Sequence, residues 1–195
     1  MRTAKVERKT RETDIKLTLN LDGKGLYSID TSIPFLDHML SLMCKHGIFD
    51  IKLKAKGDTD VDFHHTVEDI GIVLGKAVKQ ALGGMKGISR FGQATVPMDE
   101  AIASISLDIS GRPYLVYKVG IPKKNKIKNF DIDLIEDFLQ AFASNSGITL
   151  HVGSSYGRNT HHIIEAVFKA LGRALKEAVS IDSRIKGIPT TKGRL

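Results

Sequence analysis

The segments DFHHTVEDIG (residues 62–71) and NTHHIIEAVF (residues 159–168) share one pattern. Each contains two adjacent histidines followed, three residues after the second, by a glutamate, and their first histidines, His64 and His161, are 97 positions apart. The surrounding patterns also recur, because the order strand, strand, helix, strand, helix is predicted twice, with the histidine pair opening each final helix. The sequence therefore predicts an internally duplicated α+β fold whose halves pack through their apolar helices.

The predicted elements divide the chain into two halves and a tail. Residues 1–90 form the first half, with two strands in 5–21, a helix in 33–47, a strand in 49–57 and a helix in 65–84. Residues 91–180 form the second half, with strands in 95–113, a helix in 131–147, a strand in 148–154 and a helix in 160–179. Residues 181–195 are a polar tail, interpreted as a strap rather than a domain.

Composition and charge limit the classes of protein to which this chain can belong. The 195 residues include one cysteine, no apolar amino-terminal signal and no apolar run long enough to span a membrane, so we expect a cytoplasmic protein without a membrane partner. The formal charge of +7 favours an anionic partner. The basic stretch KKNKIKNF (123–130) is predicted to be a solvated loop, and since no nucleic-acid-binding motif accompanies it, we expect no nucleic-acid partner.

The repeated pattern has the spacing of a metal site. His64 and Glu68 are four residues apart on a helix, as are His161 and Glu165, so each pair shares one face and can bind one ion. His65 and His162 point elsewhere, and if the two helix starts face each other, each can cross over to complete the other pair's site. Two imidazoles and one carboxylate leave open coordination positions, as catalysis requires.

Two further residues extend this ligand pattern. His38 and Asp137 occupy corresponding places on the middle helix of each half, 26 residues before His64 and 24 before His161. Imidazole and carboxylate ligands suit manganese, iron or zinc, and the absence of thiolate argues against a structural zinc site.

The sequence resembles the imidazoleglycerol-phosphate dehydratase family over nearly its whole length. The matching motifs, in order, are FLDHML, KHGIFD, DFHHTVEDIGI, RFG, PMDEA, SGRP, GITLHV, NTHHIIEAVFKALGRAL and PTTKG. The resemblance implies a duplicated ribosomal-S5-domain-2-like fold, with two β-sheets covering a layer of helices. It also implies two manganese ions per active site and a homo-oligomer of 24 subunits built from trimers, with active sites at subunit interfaces.

The same resemblance implies roles for individual residues. One ion takes His38, His65, His161 and Glu165, and the other takes His64, Glu68, Asp137 and His162. Asp137 departs from the family pattern, since many members carry histidine there, but carboxylate also binds manganese well. The residues implied to act in catalysis are Glu12, His46 and Lys169. The residues implied to bind the phosphorylated substrate are Glu12, His38, His46, Arg90, Arg112, Lys169, Thr190, Thr191 and Lys192.

The implied reaction removes water from imidazole glycerol phosphate to give imidazole acetol phosphate. The hydrogen to be removed is not next to a carbonyl, so we expect the metals to stabilise the ring as an imidazolate, which expels the hydroxyl and gives a diazafulvene-like species. Glu12 is then expected to remove the acidified side-chain proton. The arginine, lysine and threonine side chains are expected to bind the phosphate, which accounts for part of the positive charge.

Three other functions remain open at this point. The same ligands could generate a metal-bound hydroxide in a dinuclear hydrolase. They could instead join subunits in a metal-dependent assembly protein that is not an enzyme. A basic nucleic-acid-binding domain would show binding that weakens steeply with salt.

Overall fold

The first half of the chain forms one mixed four-stranded sheet and two helices. The computed structural model describes residues 1–122 and 126–193. The elements of the first half are β1 (Thr3–Lys9), β2 (Thr13–Asn20), β3 (Tyr27–Asp30), α1 (Pro34–Gly47), β4 (Asp50–Gly57) and α2 (His64–Leu82). The strand order is β1-β2-β4-β3, antiparallel except for the parallel pair of β3 and β4.

The second half repeats this arrangement. Its elements are β5 (Phe91–Met98), β6 (Ala101–Asp108), β7 (Tyr114–Lys118), α3 (Leu134–Ser146), β10 (Thr149–Tyr156) and α4 (Thr160–Val179), with a short hairpin of β8 (Lys126–Ile127) and β9 (Phe130–Asp131) before α3. The strand order β5-β6-β10-β7 again has one parallel pair, β7 with β10. The predicted internal duplication is therefore present in the fold.

The predicted repeat unit lacked one strand in each half. The observed unit contains β3 or β7 before the middle helix, so the order is strand, strand, strand, helix, strand, helix, with the β8–β9 hairpin as an addition in the second half. These strands have four and five residues, lie at a sheet edge and have no fully buried side chain. The alternation in β3 (YSID) covers only four residues, and β7 (YLVYK) does not alternate, so neither sequence was recognised as a strand.

Two other predicted segments also differ in detail. The basic stretch 123–130 was predicted to be a loop, but its described part includes β8 and the first residue of β9, in a hairpin that positions the buried Phe130. Residues 123–125 lie outside the described residues. The tail runs along the segment that joins the two halves, where the amide of Gly87 donates to the carbonyl of Gly187 over 2.8 Å.

The helices of one half pack on the helices of the other. In the space between the two sheets, α2 lies against α3, and α1 lies against α4. Glycines allow this close approach, because a Cβ on Gly71 or Gly75 would lie 2.6 Å from a backbone carbonyl oxygen of α3. On the other side, a Cβ on Gly172 would collide with the carbonyl oxygen of Met43. Backbones in such contact fix the positions of side chains along the helix pair.

No helix in the described ranges, 1–122 and 126–193, is long and apolar enough to cross a membrane.

We predict that Gly172→Ala destabilises the protein. Alanine is favoured over glycine in a helix interior by about 1 kcal/mol. Here, however, the added methyl group must push α1 away from α4. We expect a net loss of about 1–3 kcal/mol in the free energy of unfolding, as for other overpacked sites. Urea unfolding measures it, with Gly84→Ala as the control because no atom lies within 4 Å of a Cβ there. Unchanged or increased stability of Gly172→Ala would contradict the proposed contact.

Candidate active site

The two histidine pairs open their helices in the same way. The side chain two residues before the first histidine accepts a hydrogen bond from that histidine's backbone amide. Asp62 accepts from His64 over 2.7 Å, and Asn159 accepts from His161 over 2.9 Å. Short polar side chains satisfy the free amides of a helix start in this manner. Each pair therefore has a fixed backbone from which its two imidazoles point in different directions.

The first cluster of ligand atoms combines α1 with the start of α4. The Nε2 atoms of His38 and His161 lie 2.9 Å and 3.0 Å from the same oxygen, Oε1 of Glu165. Within the part of the chain that is described, these residues are the one group of three or more His, Cys, Asp or Glu side chains whose ligand atoms all lie within 4.8 Å of one another. We name it cluster A. It joins one residue of the first half to two of the second, as the packing of α1 on α4 requires.

Lys169 determines the charge of cluster A. Its Nζ atom lies 2.7 Å from the second oxygen of Glu165 and 3.0 Å from Sδ of Met98. Burial by itself would raise the pKa of Glu165, but hydrogen bonds from Lys169, His38 and His161 lower that pKa to about 2. Glu165 is thus a buried anion at neutral pH, with one oxygen paired to a cation and the other directed at two imidazoles.

The second cluster is related to the first by the duplication. His64 and Glu68 lie on α2, with 3.6 Å between Nε2 and Oε2, and Asp137 on α3 places its Oδ2 3.3 Å from Nδ1 of His64. We name this group cluster B. Asp137 takes the place that His38 has in cluster A. Cluster B is the more open of the two, since the side chains of Glu68 and Asp137 are both nearly half exposed.

His65 and His162 contact other carboxylates. Nδ1 of His65 lies 3.0 Å from Oδ2 of Asp58, and Nδ1 of His162 lies 2.7 Å from Oε2 of Glu100. These hydrogen bonds are the main reason why the pKa of each histidine is raised above its usual value. Within one chain, the described residues therefore do not assemble the crossed arrangement in which these histidines complete the two clusters.

Glu12 lies in the turn between β1 and β2. Its side chain is 53% exposed, and its Oε1 is 4.0 Å from Nε2 of His65. The hairpin is attached to α2 through the buried Asp69, whose carboxylate accepts a hydrogen bond from the hydroxyl of Thr13 and pairs with Arg8. Glu12 is thus an accessible carboxylate on a turn whose position is fixed relative to the His64–His65 helix.

His46 lies two turns after His38, near the end of α1. It borders a surface cavity of about 310 Å³ that also includes Gln93, Arg173 and Lys176. Burial, together with the positive charges of Lys169 and Arg173, lowers the pKa of His46. An imidazole that remains neutral here could donate or accept a hydrogen bond in this cavity, which lies toward the end of α4 away from His161.

Of the side chains predicted to bind phosphate, Lys169 lies at cluster A, whereas the others lie near the opposite end of β5. Arg90 precedes β5, and its guanidinium contacts both oxygens of Asp108 and donates to the carbonyl of Pro189 in the tail. Its backbone carbonyl accepts from Ile109, near the turn that carries Arg112, while Thr190, Thr191 and Lys192 follow Pro189. Strand β5 separates Arg90 from Met98 by about 25 Å. Met98, which contacts Lys169, lies at the far end. Along α4, the backbone of Arg90 contacts Ala178, about 20 Å from Glu165.

Sequence reasoning missed three carboxylates of this region: Asp58, Asp69 and Glu100. Asp69 and Glu100 stand inside the motifs DFHHTVEDIGI and PMDEA, and Asp58 follows the last residue of β4. Their contacts with Thr13, His65 and His162 join elements that are distant in the sequence. The only signal available was proximity to the repeated motif, which does not separate a surface carboxylate from a partner of a histidine.

Comparison with known proteins identifies the relatives of this chain. A family model described as imidazoleglycerol-phosphate dehydratase matches residues 31–175. Proteins of that name from Pelobacter propionicus and Caldanaerobacter subterraneus are both 60% identical to this chain, over 194 and 195 residues, with 99–100% of each chain covered.

Solved structures confirm the predicted fold class. A crystal structure of imidazoleglycerol-phosphate dehydratase from Staphylococcus aureus superposes with a TM-score of 0.81 at 36% identity, covering 92% of this chain and 99% of that one. The IGPD from Pyrococcus furiosus gives a TM-score of 0.83 at 36% identity, covering 97% and 100%. The α+β arrangement of two four-stranded sheets with four helices is common to all three.

We predict that the metal-free protein loses stability as Glu165 becomes protonated. Because the pKa of Glu165 falls from 4.5 to about 2 on folding, its contribution is present above pH 4.5 and disappears as the pH falls toward 2. This linkage has an upper limit of about 3 kcal/mol. Urea unfolding across this pH range measures it. Glu165→Gln should have a shallower pH dependence than the unsubstituted protein, and equal slopes would contradict the assignment.

Proposed function

The chain belongs to the imidazoleglycerol-phosphate dehydratase family, and we propose that clusters A and B bind the two metal ions with which it dehydrates imidazole glycerol phosphate. Membership makes the protein a carbon–oxygen hydro-lyase of histidine biosynthesis. The observation that carries the metal proposal is the pair of clusters related by the duplication. Each combines the first histidine and the glutamate of one His-His-x-x-Glu helix with a ligand from the other half of the chain.

The donor atoms of both clusters fit a divalent ion such as manganese. They are imidazole nitrogens and carboxylate oxygens, without thiolate, and Glu165 is an anion at neutral pH. His38, His161 and Glu165 would hold one ion, and His64, Glu68 and Asp137 the other. When bound, the two ions would act as Lewis acids that stabilise negative charge on the imidazole ring of the substrate.

The fourth protein ligand of each ion would come from a neighbouring subunit. By the family pattern, His65 belongs with cluster A and His162 with cluster B, but within one chain both point to other carboxylates. A second copy of the chain can supply each missing histidine without a change in either cluster. We therefore propose a homo-oligomer with active sites between subunits, which in this family pattern is the 24-mer built from trimers.

The substrate's phosphate group would also contact a neighbouring subunit. Arg90 lies about 20–25 Å along β5 and α4 from the end that adjoins cluster A, with Arg112 and the tail residues Thr190–Lys192 beyond it. A substrate the size of imidazole glycerol phosphate does not span that distance. The guanidinium and ammonium groups of one chain would therefore bind the phosphate of a substrate whose ring lies at another chain's cluster.

Glu12 is the carboxylate best placed to move a proton. It is exposed, and its side chain approaches His65, which by the family pattern completes cluster A. The proton lost from the ring nitrogen and the expelled side-chain hydroxyl together leave as water. Glu12 would then take the carbon-bound proton to give the enol and return a proton as the enol tautomerises to imidazole acetol phosphate. Lys169 would keep Glu165 ionised throughout, and its positive charge also acts on His46, two turns after His38 on α1.

We predict that turnover depends on manganese. Metal-stripped protein should convert no imidazole glycerol phosphate, and added manganese should restore the formation of imidazole acetol phosphate, with two ions bound per chain. Product analysis before and after addition measures this, and circular dichroism checks that the stripped protein is folded. A folded protein with two ions per chain and no product would instead favour a hydrolase or a metal-dependent assembly protein.

We predict that Glu12→Gln impairs catalysis without loss of metal. Removing a general base should lower kcat by about 10²–10⁴-fold. Manganese stoichiometry should remain at the unsubstituted level, because Glu12 belongs to neither cluster. The matched control is Glu7→Gln on the same hairpin, where the glutamate pairs with Lys5 on the surface. Turnover of Glu12→Gln equal to that of Glu7→Gln would remove Glu12 from this role.

A further inference from the structure

In each of the two histidines outside clusters A and B, the same ring nitrogen is hydrogen-bonded to a carboxylate. In both His65 and His162, a carboxylate contacts Nδ1, at 3.0 Å from Asp58 and 2.7 Å from Glu100. We propose that Asp58 and Glu100 are positioning residues that orient these imidazoles and direct Nε2 of each toward the metal site of a neighbouring subunit. This inference rests on the proposed two-metal function and adds to it the residues that prepare the intersubunit ligands.

The physical reason is the tautomer of imidazole. A neutral ring carries one proton, on either Nδ1 or Nε2, and only the unprotonated nitrogen can bind a metal. A carboxylate that accepts from Nδ1–H retains the proton there and leaves the lone pair on Nε2. Carboxylates in this position commonly support histidines that bind metals, and their loss typically lowers metal affinity by 10–100-fold.

Each carboxylate is itself attached to the backbone of a neighbouring element. Glu100 lies in the turn between β5 and β6, and its Oε1 accepts from the amides of Arg158 and Asn159, at 3.0 Å and 2.7 Å. Hydrogen bonds from His162 and from the Asn159 amide lower the pKa of Glu100 to about 2, so it is an anion at neutral pH. One oxygen of Glu100 thus holds the loop before α4, and the other holds His162.

In the first half, the carboxylate lies on the loop before α2 rather than on the hairpin. Asp58 directly follows β4, and its amide donates to the carbonyl of Glu12 over 3.1 Å. Hairpin and loop are therefore joined in both halves, but Asp58 on the loop supports His65, whereas Glu100 on the hairpin supports His162. Glu12 lies in the hairpin turn equivalent to that of Glu100, but in this half Asp58 rather than Glu12 supports Nδ1 of the histidine.

We expect metal binding to respond differently when each of the two carboxylates is replaced by its amide. In Glu100→Gln, the carbonyl oxygen can still accept from Arg158 and Asn159, so the amide nitrogen would face His162 and donate to Nδ1. That contact favours the proton on Nε2, which cannot then bind a metal. In Asp58→Asn, Oδ1 has no hydrogen-bond partner in the described protein that holds it in place. The amide can therefore turn its oxygen toward His65 and preserve the tautomer.

The test measures manganese affinity rather than turnover. Metal-stripped, assembled protein is titrated with manganese, and unbound ion is quantified from its paramagnetic resonance signal, giving a dissociation constant for each of the two sites. We expect Glu100→Gln to weaken one site by about 10–100-fold and leave the other unchanged. We expect Asp58→Asn to retain most of its affinity and Asp58→Leu to weaken the opposite site by the same factor. Glu7→Gln is the control.

Two further measurements distinguish positioning from a structural role. The melting temperature of metal-free Glu100→Gln should equal that of the control. In a double-mutant cycle, Glu100→Gln should cost nothing more once His162→Gln is present, because Glu100 acts through that ring. Unchanged affinity of both sites in Glu100→Gln would overturn the proposal. So would a full additional loss in the His162→Gln background, or a loss at both sites with a lowered melting temperature.

The outcomes also separate this inference from the proposed function. If the unsubstituted protein binds no manganese, the two-metal proposal fails and the positioning role fails with it. If it binds two ions and the variants bind equally well, only the positioning role fails. Should Glu100→Gln not fold, the comparison of Asp58→Leu with Asp58→Asn decides the question in the other half of the chain.

Discussion

The close contact of helices from opposite halves is the constraint on which the candidate site depends. Gly172 lets α4 approach the backbone of α1, and Gly71 and Gly75 do the same for α2 and α3. Because a helix pair in backbone contact has little freedom to slide, His38 is held within hydrogen-bonding distance of Glu165. Neither cluster could form from one half alone, so the duplication and the site are parts of the same arrangement.

The positive charge of Lys169 stabilises the buried carboxylate of Glu165 in cluster A. Glu165 is only 10% exposed, and an unpaired carboxylate there would tend to take up a proton. Lys169 contacts one of its oxygens, one turn further along α4, and leaves the other for His38 and His161. Cluster B needs no such lysine, since Glu68 and Asp137 remain in contact with water.

The duplicated halves have diverged in how they use the turn of their first hairpin. Glu100 in the second half is fixed by two backbone amides and by His162, and remains ionised. The turn of the first half carries Glu12, whose carboxylate is exposed, while Asp58 supplies the contact to His65. A group fixed by three hydrogen bonds is suited to orient a ring, whereas a free one can take a proton and release it.

The sequence alone determined the duplication, the four helices and the pairs His64–Glu68 and His161–Glu165, because helical periodicity and i,i+4 spacing are local properties of a chain. It did not determine β3 and β7, whose pairing depends on a distant parallel partner rather than on their own pattern. Only the tertiary structure showed that α1 meets α4, that Asp58 and Glu100 hold the second histidines, and that Arg90 lies far from cluster A. These facts depend on contacts between residues tens of positions apart, and the geometry of such contacts is set by packing rather than by spacing along the chain.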